Sequence, residues 1–214
     1  PLLPAKSEIR YLAPTKRVAE RLKRYGVKQK NIVITGFPLP EEFTGEKNET
    51  KLKQAVLARL GRLDPRRIFL SRSKSQVEEA LGKISNGKKK QKAPTLLFSI
   101  GGAGAQADIA ETILESCQKL LKAERMNLIV SVGVREELAR SLKKAAGRFG
   151  LTSCLGKELT ILFAKTKEEY FIAFNAALWE TDVLWTKPSE LVFYAALGMP
   201  IILAPPIGSQ EREN

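Results

Sequence analysis

Two hydrophobic rhythms divide this chain. Short apolar runs mark strands, and longer stretches with apolar residues about every three or four positions mark helices. Ile9–Ala13 reads as a short strand closed by Pro14. Thr15 then caps a helix over Lys16–Tyr25, with Val18, Leu22 and Tyr25 at helical spacing and Gly26 as its stop. Asn31–Gly36 is a second short strand. Asn48–Leu60 is an amphipathic helix with Leu52, Val56, Leu57 and Leu60 on one face. After Asp64-Pro65, the run Ile68-Phe69-Leu70 reads as a short strand, Gln76–Ile84 as a helix and Ser85–Lys92 as a polar loop. From Thr95 the alternation becomes regular. Strands over Thr95–Ile100, Asn127–Gly133 and Leu159–Ala164 are separated by helices over Asp108–Lys122 and Arg135–Phe149, and a helix over Lys167–Leu178 leads to Asp182. This spacing predicts an α/β fold: a Rossmann-like parallel sheet with helices on both faces and right-handed crossovers.

The last stretch predicts strand, tight polar turn, short helix, stop, strand and polar loop. Pro188 suits the first turn of a helix, where its missing N–H costs nothing. Gly198 and Pro200 end that helix, and Ile201–Ala204 reads as a strand buried on both faces. Two loops at strand carboxyl ends therefore collect polar residues, which is where open α/β sheets bind ligands. A third such place follows Ile100: Gly101-Gly102-Ala103-Gly104-Ala105-Gln106, then a helix. Glycines let backbone approach a ligand, and a helix N-terminus offers N–H groups and a positive dipole end to phosphate. A glycine turn needed only for close packing is the competing reading. The dinucleotide fingerprint fails here, because Ala107 stands at the third glycine position.

Composition narrows the picture. With 43% hydrophobic and 28% charged residues the chain is of the globular kind. No run approaches the ~20 apolar residues of a transmembrane helix. Cys117 and Cys154 make neither a disulfide framework nor a metal cluster, and read as ordinary thiols in a reducing compartment. The net charge of +13 concentrates in Lys16–Lys30 and Lys83–Lys92. Such runs are solvated faces or contacts with an anionic membrane surface. Nucleic acid is the weakest of the polyanion readings, because no aromatic interleaving, zinc spacing or nucleic-acid motif accompanies the charge. There is no His, so no imidazole base acts from this chain, and no Asp-x-Asp metal motif is present.

Lys187-Pro188-Ser189-Glu190, Gly198-Met199-Pro200 and Gly208-Ser209-Gln210 with Asn214 resemble the donor-binding signature of inverting glycosyltransferases of the two-domain GT-B architecture. The nearest groups are the monogalactosyldiacylglycerol synthases, the processive diacylglycerol glucosyltransferases and the lipid I N-acetylglucosaminyltransferase of peptidoglycan synthesis. The glycine loop after Ile100 and the Arg21–Val27 and Ile34–Pro38 stretches resemble their donor-domain entry and interdomain crossing. Residues 1–36 are then the end of an acceptor-side domain and the crossing, 37–92 a linker with helices and a basic loop, and 93–214 a donor-binding domain truncated at its C-terminus. The chain, opening on Pro1 and stopping at Asn214 inside a motif, reads as a fragment whose N-terminal domain is mostly missing.

The resemblance implies nucleotide-sugar-dependent hexosyl transfer, with a UDP-sugar as donor, a lipid acceptor, and no cofactor or metal. It implies donor contacts at Gly101, Gly102, Gly104, Ala105, Gln106, Lys187, Ser189, Glu190, Ser209, Gln210 and Asn214. The catalytic base is expected in the missing domain, and the protein in the cytoplasm, peripheral on the membrane. Departures from the pattern leave an alternative open, an inactive nucleotide-sugar binding or interaction module. Ser189-Glu190 replaces a glycine pair. The family's ribose-binding Glu falls on Phe193, which cannot bind hydroxyls. Glu190, one turn earlier, either reaches the ribose or only caps the helix. Asp182 aligns with an acidic residue of the family, or is a polar residue at a strand start.

Overall fold

The computed structural model describes residues 8–37, 41–44, 49–84, 92–100, 106–188 and 191–205. Its strands, among these residues, form two parallel sheets. The smaller pairs β1 (Tyr11–Ala13) with β2 (Ile32–Ile34) around helix α1 (Lys16–Arg24). The Thr15 hydroxyl caps α1 by accepting from the Val18 N–H at 3.2 Å. Ala13, Ala19, Val27 and Ile32 form its small core.

In chain order α2 (Glu41–Thr44), α3 (Thr50–Leu63) and α4 (Ile68–Leu81) come between the strands of the two sheets. Here the sequence reading needs correction, since Ile68-Phe69-Leu70 opens a helix and is not a strand. Asp64 explains it. One carboxylate oxygen accepts from the Ile68 N–H at 2.8 Å and the other from the Leu70 N–H at 2.9 Å, satisfying helix-start donors before the apolar run begins. The helix then continues, bent at Ser73, through the segment expected to begin only at Gln76.

The main sheet contains β3 (Thr95–Ser99), β4 (Asn127–Gly133), β5 (Leu159–Phe163), β6 (Val183–Thr186) and β7 (Ile201–Leu203). Their order is β5-β4-β3-β6-β7, all parallel. The crossovers are α5 (Ala107–Lys122), α6 (Glu136–Arg148), α7 (Lys167–Glu180) and α8 (Leu191–Ala196). Alternation along the strands sorts side chains into two cores. Phe98, Leu128, Val130 and Val132 pack with α5 and α6, while Leu97, Ile129 and Leu184 pack with α7 and α8. Helices on both faces of a parallel sheet are the expected Rossmann-like fold.

β7 is a second correction. It lies at the sheet edge, with Ile202 43% and Leu203 55% exposed, whereas a strand buried on both faces was expected. It pairs only with β6, and no further strand among the described residues flanks it.

The helix α3 is fastened to the amino end of this sheet. Arg59, only 4% exposed, donates from Nε to the Thr181 carbonyl at 3.1 Å. From Nη1 it reaches the carbonyls of Leu197 at 3.1 Å and Gly198 at 3.0 Å. One guanidinium thus satisfies carbonyls at the C-terminal ends of α7 and α8, where helices leave acceptors unpaired. Burial pulls its pKa down, and the Asp182 charge opposes that. Asp182 is itself fully buried. Its Oδ1 accepts from Arg62 Nε at 2.7 Å and its Oδ2 from the Thr95 N–H at 2.9 Å. Of its two readings, the strand-start one describes its place.

Candidate functional site

The chain runs from β3 outward to β4 and β5, then returns to lay β6 on the other side of β3. The strand order reverses between β3 and β6, and ligands of open α/β sheets bind in the crevice outside such a point. A cleft of about 600 Å³ opens there. Its floor is Ser99 and Ile100 at the end of β3, Val132–Arg135 at the end of β4, and Thr186 and Lys187 at the end of β6. Its walls are Lys167, Tyr170, Phe171 and Phe174 of α7, and Tyr194 of α8.

Local sequence explains the shape. Gly133 takes φ +67° at the end of β4, beside a register irregularity against β5, so the chain turns sharply there. The Thr166 capping box fixes the start of α7, with Glu169 N–H donating to Thr166 Oγ1 at 3.2 Å. That places Tyr170 one turn in, where its hydroxyl lies 2.9 Å from the buried Ser131 Oγ and its ring 5.5 Å from Phe174. Arg135 Nη2 donates to the Ile100 carbonyl at 3.0 Å, lacing the end of β4 to the end of β3. Burial lowers the Arg135 pKa, partly opposed by Tyr170. The described lining carries three cations, Arg135, Lys167 and Lys187, and no carboxylate. Its field suits an anionic ligand with an aromatic or apolar portion.

Of the sequence-predicted site residues, Lys187 lies in this cleft. Gln106 stands at the N-cap of α5 after β3, 2% exposed, and among the described residues neither amide atom finds a hydrogen-bond partner. A buried amide left so costs about 1–3 kcal/mol. Gly101, Gly102, Gly104, Ala105, Ser189, Glu190, Ser209, Gln210 and Asn214 lie outside the described residues. Phe193 packs edge-on against Phe43, with ring centroids 5.5 Å apart. It is a packing residue, in keeping with its unsuitability for a ribose. The sequence reading missed Ser131, Arg135 and Tyr170. The clue for Arg135 was its place just beyond the glycine that ends a strand, but it was read only as the start of a basic helix.

The family described as a domain of unknown function, DUF6938, matches residues 74–213. The chain belongs to that family. This DUF6938 chain is also similar to processive diacylglycerol beta-glucosyltransferases of Bacillus. It is 24% identical to that of Bacillus subtilis (strain 168) over 208 residues, covering 96% of this chain and 42% of the relative. The Bacillus licheniformis protein is 23% identical over 207 residues, with the same coverage. The chain thus spans about two fifths of the length of these relatives. The resemblance read from the donor signature therefore extends over nearly the whole chain. Among solved structures, a UDP-GlcNAc 2-epimerase from Neisseria meningitidis bound to UDP-GlcNAc aligns with a TM-score of 0.47 at 13% identity, over 95% of this chain and 46% of that one.

Proposed function

We propose that this chain supplies the nucleotide-sugar donor site of a glycosyltransferase that moves a hexosyl group to a lipid acceptor. The observation that carries the reading is the cation-lined cleft at the switch point of the sheet. The similarity to named glucosyltransferases supports the reaction class. In this reading the donor is a UDP-sugar. Gly101, Gly102, Gly104, Ala105 and Gln106 bring backbone N–H groups and the positive end of α5 to its diphosphate, and Lys187 adds charge from the end of the neighbouring strand β6. These groups stabilise the diphosphate as it leaves, the largest electrostatic demand of the transfer. Ser189 and Glu190 address the ribose or the start of α8, while Ser209, Gln210 and Asn214 face the sugar with groups that donate and accept. The acceptor site and the base belong to the acceptor-side domain, of which residues 1–36 are the end. Residues 37–92 form the linker and 93–214 the donor domain. The basic stretches at Lys16–Lys30 and Lys83–Lys92 hold the protein to an anionic membrane face from the cytoplasm.

A thermal-shift panel of UDP, GDP, dTDP and ADP with their sugars tests this directly. A ligand at 100 times its dissociation constant adds ~2.7 kcal/mol of stability. The reading expects a UDP-selective shift that shrinks in Lys187→Met and Gln210→Ala. A folded chain that no nucleotide or nucleotide-sugar stabilises would remove it.

A further inference from the structure

We propose that Arg135 is the diphosphate-reading residue of this cleft, laying its guanidinium fork on the phosphate oxygens of a nucleoside diphosphate ester at the mouth of β3 and β4. The inference rests on the donor-site reading and adds to it a residue that the signature does not contain. Three features single Arg135 out from the cations around it.

The first is position. Arg135 follows the turn at Gly133 and spans from the end of β4 to the last carbonyl before the glycine loop, Ile100, at 3.0 Å. A phosphate drawn to the start of α5 arrives at that same strand end. The second is preorganisation. Lys167 is an exposed residue on α7, and Lys187, half-buried like Arg135, carries an ammonium that presents no fixed plane to a ligand. The Arg135 side chain is half-buried, and its carbonyl contact fixes the plane of the guanidinium before ligand arrives. The third is chemistry. A planar guanidinium matches two phosphate oxygens at once, which an ammonium cannot do. With no carboxylate in the described lining, the local charge selects an anion.

The test uses the whole chain and isothermal titration with UDP, UMP and uridine, on wild type, Arg135→Gln and Arg135→Lys. The glutamine variant keeps a polar side chain but loses the charge and, ending two bonds short of Nη2, the reach to the Ile100 carbonyl. The lysine variant keeps the charge and loses the fork. Arg135→Gln is expected to weaken UDP about 30-fold, the size of a lost charge-assisted bond, with uridine unchanged within about twofold. Arg135→Lys is expected to fall between. UDP affinity unchanged in Arg135→Gln would reduce Arg135 to a strap between two strands and overturn the inference while leaving the donor site standing. Equal losses for UDP and uridine would overturn it too, as a structural effect. A folded wild type that binds none of the three would overturn the donor-site reading and this inference together.

Discussion

Asp182 illustrates how a charged residue in a signature region can be spent on architecture. Its two fully buried oxygens join the part-buried Arg62 of α3 to the first amide of β3. Breaking a buried pair strands its partner, so the cost is large. Asp182→Ala should lower unfolding free energy by about 3–5 kcal/mol, read as a fall in the urea midpoint, and should leave nucleotide affinity intact in the folded fraction. A loss of affinity without a loss of stability would move Asp182 back to the ligand. At this scale the sequence was half legible. Thr15 and Lys187 could be placed because capping and strand-end position are local properties. Arg59, Arg62, Ser131, Arg135 and Tyr170 could not, because their partners lie far along the chain and only the fold brings them together.

At the scale of elements, the contact of α3 with α8 is the most demanding. Gly198 has φ +62°, and a Cβ built on it would stand 2.8 Å from Val56 Cγ2. Gly198→Ala therefore meets both a left-handed backbone and a closed space, and should destabilise by more than about 1 kcal/mol in chemical denaturation. Val56→Ala in the same chain should recover part of that loss, whereas additivity of the two losses would show that the contact is not the cause. The helices and strands of the main sheet were legible because their periodicity is strong over long segments. Ile68–Leu70 was not, because three apolar residues carry no period and the deciding group, Asp64, acts through its side chain. The exposure of β7 was also beyond reach, because an apolar run says nothing of whether a neighbour covers it.

For the whole molecule, the strand order β5-β4-β3-β6-β7 matters most, because it alone puts the crevice between β3 and β6. The sequence predicted a parallel sheet but not this order. The motifs pointed to the loops after Ile100 and at Lys187, but the meeting of these strand ends in one cleft, and the gathering of Arg135 and Lys167 on it, follow from the order. Amide chemical-shift mapping of the chain during titration with UDP tests this account most directly. The predicted result is a set of perturbed amides at Ile100, Val132–Arg135, Thr186 and Lys187, with Thr95, Asp182 and Arg59 at the opposite end of the sheet unmoved. Perturbations centred on β1 and β2, on α4, or at the amino ends of the strands would contradict it.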